Sequence, residues 1–150
     1  ILIENAYFIP ARPVRRALAA AVRRGVVVAV ALARDSDVKI AACASRHLYG
    51  RLLRSGVRIF EWPSGMLHAK TAVLDDAWSI VGSYNFDHRS LFHQLESVAI
   101  VAQATFARQL RNQTMADLAR CREVTLEEPQ SRPLIQRCIE WAAYLLRQWL

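Results

Sequence analysis

The stretch PVRRALAAAVRRGVVVAVAL, residues 13–32, decides the fold. In its first half, apolar residues recur three and four positions apart from Val14 to Val22, and Gly25 follows them, which predicts a helix over 13–24. Its second half, 26–32, is an unbroken and mostly β-branched apolar run, typical of a strand that is buried on both faces. A helix followed directly by such a strand indicates an α/β domain.

The neighbouring segments continue this alternation. Residues 1–9 resemble a strand cut from a longer chain, and Asp35-Ser36-Asp37 offers N-caps for a second helix that ends near Arg54. A turn is expected at 63–65, and the spacing of apolar residues predicts a further helix over 105–120. Four more strand-like segments are 57–62, 67–74, 78–81 and 96–102. We therefore expect an α/β fold, in which a mixed β-sheet is flanked by helices.

The composition changes after residue 128, so we expect a catalytic domain or half-domain over 1–128 and an amphipathic C-terminal helix over 129–150. One apolar stripe of this helix consists of Ile135, Cys138, Ile139, Ala142, Leu145, Leu146 and Trp149. Tryptophan and arginine side chains beside such a stripe suit a membrane interface. The same periodicity also suits a helix packed on protein, and the sequence leaves both readings open.

Composition and charge limit the function classes. The 150 residues are 53% hydrophobic, which is enough for one well-filled core, and no apolar run approaches the ~20 residues that a membrane-spanning helix needs. Lys and Arg number 20 against 13 Asp and Glu, and the resulting charge of +7 favours anionic partners, either a phospholipid surface or nucleic acid. The three cysteines match neither a disulfide framework nor a metal motif, which indicates a reducing compartment.

The most specific signal lies between Met66 and Glu96. His68, Lys70 and Asp75 have the spacing H-x-K-x4-D, and Gly82-Ser83-x-Asn85 follows six residues later. This pattern resembles the HKD signature of the phospholipase D superfamily, and all of its specified residues are present. Weaker similarity to the C-terminal half of bacterial cardiolipin synthases extends over segments 3–10, 24–26, 35–37, 56–59, 67–70 and 81–90. Two departures from that group are Asp76, where glycine is common, and Gln94, where asparagine is common.

The chemistry of a phosphodiester explains the spacing. On a strand, His68 and Lys70 would point to one face, so that an imidazole and an ammonium meet the same phosphate. Lys70 would stabilise the transition-state oxygens, and Ser83 and Asn85 would donate hydrogen bonds to the phosphate. Glu96 is a candidate to accept a hydrogen bond from His68 and fix its tautomer.

The resemblance implies two further features of the site. Asp75 would have a structural or orienting role, because a second anion beside the phosphate would repel it. The reaction would need no metal and no other cofactor, and we expect His47, His88 and His93 to be surface or local hydrogen-bonding residues.

The resemblance also implies a reaction and its partners. Members of this group join two HKD halves around one site: one histidine attacks phosphorus to form a phosphohistidine, and the other protonates the leaving alcohol. The expected activity is a phosphatidyltransferase that makes cardiolipin from phosphatidylglycerol, with this chain supplying one HKD half of the site. As a C-terminal half, the chain would use His68 as general acid and later base; if it paired with an identical chain, the two His68 side chains would share the roles of nucleophile and acid. Its partners would be anionic phospholipid, the cytoplasmic side of a bacterial membrane, and a second HKD half from an upstream segment or an identical chain. The alternatives are a homodimeric phosphodiesterase that cleaves nucleic acid and, ranked last, a membrane-binding module with a vestigial site.

Overall fold

The computed structural model describes residues 1–63 and 65–150. Over these residues the strands are β1 (Leu2–Asn5), β2 (Ala29–Ala33), β3 (Arg58–Trp62), β4 (Lys70–Leu74), β5 (Trp78–Gly82), β6 (Val98–Val101) and β7 (Arg122–Glu123). The helices are α1 (Arg12–Arg23), α2 (Lys39–Arg54), α3 (His88–Phe92), α4 (Ala104–Arg120), α5 (Glu127–Ser131) and α6 (Leu134–Leu145). The strands form one mixed sheet in the order β6-β5-β4-β1-β2-β3-β7.

The sheet is parallel in its middle and antiparallel towards its edges. Strand β2 pairs in parallel with β1 and β3, through crossovers that contain α1 and α2. Strands β4, β5 and β6 add antiparallel neighbours on one side, and β7 adds one on the other. The expected α/β fold with a mixed sheet and flanking helices is confirmed.

Two hydrophobic cores cover the two faces of β2. Val30 and Leu32 point into the larger core, together with Leu18 of α1 and Leu48 of α2. Ala29 and Ala31 point into a smaller core, which α4 closes with its Leu118. The prediction of a strand buried on both faces is confirmed, because its apolar run supplies side chains to both cores.

Several element boundaries differ from the sequence prediction. Strand β2 begins at Ala29 rather than at residue 26, and Val27 is exposed. The predicted N-caps at 35–37 are wrong: the N-cap of α2 is Val38, whose own N–H is bound by the side chains of Ser36 and Asp37. Strand β4 begins at Lys70 rather than at residue 67. The predicted turn at 63–65 contains Ser64, which lies outside the described residues.

Helix α6 packs against α2. Arg132 and Glu140 form a nearly buried ion pair at 3.0 Å, and the ring of Tyr144 stacks on His47 with centroids 4.8 Å apart. The helix ends at Leu145, short of the predicted end at residue 150. Within the described residues, none of the helices is long and apolar enough to cross a membrane. The division at residue 128 stays a prediction, and the short α5 spans that boundary.

Candidate active site

The register of the sheet brings the motif residues to one edge. Lys70, the first residue of β4, lies opposite Asn5, the last residue of β1. On the other side of β4, Thr71 pairs with Val81, so Lys70 lies beside Gly82 at the end of β5. Gly82 in turn pairs with Val98 at the start of β6. One row across four strands therefore collects the segments that carry Lys70, Ser83, Asn85 and Glu96.

Lys70 supplies the positive charge of this edge. Its ammonium donates to the backbone oxygen of His68 at 3.0 Å, which leaves two of its three N–H donors for a ligand. Partial burial lowers the pKa of Lys70, while the nearby carboxylates of Glu96, Asp87 and Asp37 act in the opposite direction. A cleft of about 220 Å³ opens beside Lys70, between β4, β5 and the loop that follows β5.

Glu96 is held by serine side chains. Ser83 Oγ donates to Glu96 Oε2, and Ser90 Oγ donates to Oε1 at 2.9 Å. The hydrogen bond from Ser83, together with that from Ser90 and the charge of Lys70, lowers the pKa of Glu96, so this carboxylate is ionised at neutral pH. Gln94 completes the set when its amide nitrogen faces Glu96, at 3.1 Å. The amide of Gln94 therefore donates a hydrogen bond to Glu96, although similar sequences commonly have asparagine at this position.

These contacts correct two expectations about the site. Ser83 gives its single hydroxyl proton to Glu96 and accepts from the N–H of Ser97 at 3.0 Å, so it has no proton left for a phosphate. Among the described residues, the hydrogen bonds on Glu96 come from serines and none comes from His68. In this structure Glu96 positions the loop after β5 rather than the imidazole.

Gly82 is required by the close approach of β5 and β6. A Cβ atom at this position would lie 2.3 Å from the backbone oxygen of Ser97 and 2.9 Å from Cα of Val98. The N–H of Ser83 donates to that same Ser97 oxygen at 3.0 Å. The glycine of the motif thus allows the contact that brings Ser83 to Glu96.

Asn85 is buried behind this contact and retains an unused polar atom. Among the described residues, its side-chain oxygen has no hydrogen-bond partner, and its backbone N–H donates to Ser90 Oγ at 3.3 Å. Asn5 holds the same loop, because its amide oxygen accepts from the N–H of Phe86 at 3.2 Å. An amide oxygen only accepts hydrogen bonds, so this atom could serve a hydroxyl group of a ligand but not an ionised phosphate oxygen.

His68 lies just before β4 and its side chain is exposed. Tyr7 donates a hydrogen bond to Asp37 Oδ1, and this bond is the main cause of the lowered pKa of Asp37. Burial, with the bond to Asp37, raises the pKa of Tyr7 to about 12. An accessible imidazole such as that of His68 can transfer protons to a substrate.

Asp75 does not join these residues. It lies in the β4–β5 turn, five residues from Lys70 along an extended strand, which is about 16 Å at ~3.3 Å per residue. Asp75 and Asp76 have φ values of 51° and 53°, and the N–H of Ala77 closes the turn on Leu74 at 3.1 Å. A turn with two left-handed residues favours Asp at its first central position. This placement separates Asp75 from Lys70, and the structural or orienting role of Asp75 stays a prediction.

Sequence reasoning missed three side chains near the site. Tyr7 donates to Asp37, and the two residues are 30 positions apart in the chain. Asp87 caps α3 by accepting from the N–H of Ser90 at 2.7 Å, and burial raises its pKa. The spacing Asp87-x-x-Ser90 is a local capping signal that could have been found in the sequence.

The other histidines remain apart from this edge. His47 stacks on Tyr144, and burial lowers its pKa. His88 is half-buried on α3, and His93 is exposed. In the part of the chain that the structure describes, no group of three or more His, Cys, Asp or Glu residues could hold a metal ion.

The residues at this sheet edge suit phosphoryl chemistry, but their negative charges outnumber their positive charges. Lys70 faces the carboxylates of Glu96, Asp87 and Asp37, and Arg89 on α3 adds a second cation beside Asp87 and Gln94. A phosphodiester would meet more negative than positive charge in this half alone. A second set of cationic groups would correct the imbalance, and the exposed position of His68 leaves room for them.

Comparison with known proteins agrees with this geometry. The family model described as cardiolipin synthase, PLD-like domain matches residues 1–118. Cardiolipin synthase A of Proteus mirabilis (strain HI4320) is 32% identical over 144 residues, which is 96% of this chain and 30% of that protein. Cardiolipin synthase B of Salmonella typhi is 38% identical over 112 residues, covering 75% of this chain and 27% of that protein. The chain thus spans about 30% of the length of these relatives.

Solved structures show the same fold. Nuc, a phospholipase D family member from Salmonella typhimurium, has a TM-score of 0.70 at 21% identity, over 82% of this chain and 80% of that one. The phosphatidylserine synthase of Haemophilus influenzae Rd KW20 has a TM-score of 0.77 at 16% identity, over 99% of this chain and 41% of that one. Together with the matched family model, the motif and its placement at one sheet edge lead to one conclusion: the chain belongs to the cardiolipin synthase, PLD-like domain family.

Proposed function

We propose that this chain supplies one HKD half of a phosphatidyltransferase site that makes cardiolipin from phosphatidylglycerol. The observation that carries the proposal is the row formed by Asn5, Lys70, Gly82 and Val98, which brings the segments that carry Lys70, Ser83, Asn85 and Glu96 to one open edge. Relatives named cardiolipin synthase, at 32–38% identity, support this choice of reaction.

The residues of this half take different roles in the proposed reaction. Lys70 stabilises negative charge on the phosphate oxygens, with the Asn85 amide as a second polar contact. His68 protonates the departing glycerol oxygen and later accepts the proton of the incoming lipid hydroxyl. Glu96 acts as a positioning residue, because its hydrogen bonds hold Ser83 and Ser90 and thereby the loop that carries Asn85.

A second HKD half completes the site in this proposal. Its histidine attacks phosphorus, the phosphorus–oxygen bond to glycerol breaks, and a phosphatidyl-histidine forms. A second phosphatidylglycerol then displaces that histidine, which gives cardiolipin and regenerates both imidazoles. The added cations also offset Glu96, Asp87 and Asp37 around Lys70. We place this reaction at the cytoplasmic side of a bacterial membrane, with the protein bound peripherally.

The test combines this chain with a second HKD half in one polypeptide and supplies phosphatidylglycerol vesicles. We expect cardiolipin and free glycerol in equal amounts, and about 10²- to 10⁴-fold less product from the His68→Ala variant. His93→Ala is the matched control, since it removes an exposed histidine outside the motif. Cleavage of single-stranded DNA by the chain alone in EDTA, without transfer to lipid, would replace this proposal by the homodimeric nuclease.

A further inference from the structure

A groove between α1 and α2 is lined by arginine side chains that do not belong to the motif. Its lining consists of Arg12, Arg15, Arg16, Ala19, Arg51, Leu52 and Ser55, around a volume of about 320 Å³. We call this groove the arginine cleft. No acidic residue lines it, and within the described ranges none of its four arginines lies within 4.0 Å of a carboxylate.

The arginine cleft holds positive charge without compensation. Arg15 is 9% exposed, and its guanidinium donates to the backbone oxygen of Pro10, a neutral partner. Four guanidinium groups around one groove repel each other, and the repulsion is greatest where burial reduces screening by water. A phosphate group would relieve this repulsion, since the planar guanidinium binds phosphate oxygens in a bidentate manner.

A second groove lies on the other side of α2, between α2 and α6. It has a volume of about 430 Å³, and its basic residues are Arg46, Arg51, Arg54 and Arg137. Its one acidic residue, Glu140, is buried and already paired with Arg132. Because Arg51 lines both grooves, they form one continuous basic zone over α2.

Helix α6 adds exposed apolar side chains next to this zone. The helix buries Glu140 and Ala143 and leaves its opposite side open. We call that side, together with the turn that follows the helix, the α6 apolar face. Its members, between 48% and 79% exposed, are Leu134, Ile135, Ile139, Trp141 and Leu145 on the helix and Leu146 and Trp149 after it. Charge alone would suit any polyanion, whereas aliphatic and tryptophan side chains beside arginines suit the boundary between lipid head groups and acyl chains.

We propose that α1, α2 and α6 form a docking surface for an anionic phospholipid bilayer. The arginine cleft and the groove beside it bind phosphate head groups, while the α6 apolar face enters the boundary with the acyl chains. The N–H of Arg89 in α3 donates to the oxygen of Leu150 at 2.8 Å, so the end of the chain beyond α6 is tied to the helix that carries Ser90. Docking therefore fixes the active-site edge relative to the bilayer. The surface lies outside the motif, and its binding does not depend on the proposed reaction.

The test measures flotation of the 150-residue chain with equimolar phosphatidylglycerol and phosphatidylcholine vesicles, and with phosphatidylcholine alone. Arg12→Gln with Arg16→Gln should weaken binding to the anionic vesicles by about 30-fold, or about fivefold per charge. The control, Arg108→Gln with Arg111→Gln, removes the same charge from α4 on the other face of the sheet, and should leave binding within about twofold. Equal losses in both pairs would show that net charge alone binds lipid, and would overturn the proposal.

Tryptophan substitutions test the apolar part. Trp141 and Trp78 are 53% and 51% exposed, but they lie on α6 and on β5. We expect Trp141→Ser to weaken vesicle binding by about tenfold or more, and Trp78→Ser to change it little. Circular dichroism melts should confirm that each variant remains folded. Similar binding by both variants would contradict insertion of the α6 apolar face.

Three further measurements distinguish a bilayer from other ligands of this surface. Millimolar inorganic phosphate that binds the cleft as strongly as vesicles do would identify a free-anion site instead of a lipid site. Loss of single-stranded DNA binding in the Arg12/Arg16 pair, with vesicle binding intact, would identify a nucleic-acid surface, and a dimer that dissociates in the Trp141→Ser variant would identify a second copy. The His68→Ala variant should bind vesicles like the parent, so a failure of the proposed catalysis does not affect this test.

Discussion

Replacing Gly82 by alanine should damage both the stability and the active site. The added Cβ would lie 2.3 Å from the Ser97 oxygen, and carbon–oxygen contact needs about 3.3 Å, so β5 and β6 must separate by about 1 Å. Forced overpacking costs about 1–3 kcal/mol, and weakening the bond from Ser83 N–H to that oxygen adds about 1 kcal/mol. We expect the free energy of unfolding to fall by about 2–4 kcal/mol.

Urea unfolding measures this effect through the transition midpoint. With a slope of about 2 kcal/mol per molar urea, the midpoint should fall by about 1–2 M. In the two-half enzyme, a displacement of about 1 Å in the Ser83 loop should reduce the transfer rate by about 100-fold. Gly50→Ala is the matched control, because its Cβ would meet Arg54 at an ordinary 3.4 Å within α2, and it should stabilise the chain by about 0.5–1 kcal/mol. A Gly82→Ala variant with the parent's midpoint and rate would refute the argument.

The remaining predictions concern charges in the fold. Arg132→Ala should destabilise the chain by about 3–5 kcal/mol in urea unfolding, because Glu140 stays buried without its partner; an Arg132→Met, Glu140→Met double variant should recover most of this loss. Asp76→Gly should raise the melting temperature by about 1–3 °C, since relief of its positive φ outweighs the exposed ion pair to Arg111; a lower temperature would contradict this balance. Burial raises the pKa of Glu4, so the parent loses stability as pH rises above the ordinary value of 4.5. Glu4→Gln should remove that loss and be more stable than the parent at pH 7 but not at pH 4, as measured by unfolding at both values.

The parts of the fold that depend on local pattern could be predicted from the sequence. Helix α1 follows from apolar spacing, and β2 from its continuous apolar run, because each pattern is set by which faces are buried. Very short elements contain too few residues to show a pattern of apolar positions. Strand β7 has two residues and is held by the ion pairs of Arg122 with Glu128 nearby and with Glu61, which is 61 positions away in the chain.

Some features of the candidate site could likewise be predicted from the sequence, and others could not. The spacing of His68, Lys70 and Gly82-Ser83 identified the motif, since these residues lie close together in sequence and at the ends of paired strands. The partners of Glu96 could not be predicted, because they depend on how closely β6 approaches β5 and on the Asp87 cap that turns Ser90 towards it. The position of Asp75 could not be predicted without the length of β4, because this strand separates Lys70 at its start from Asp75 just after its end.

The most direct test of the account is the reaction of the His68→Ala variant of the two-half enzyme with two donors. Phosphatidylglycerol has a leaving alcohol that needs a proton, whereas a p-nitrophenyl phosphatidyl ester releases a stable anion without one. If His68 is the general acid, the variant should lose about 10²- to 10⁴-fold in cardiolipin formation. It should keep most of the rate of its first-turnover burst of p-nitrophenol, because only the later release of the phosphohistidine also uses His68. Retained cardiolipin synthesis, or equal loss with both donors, would contradict the role assigned to His68.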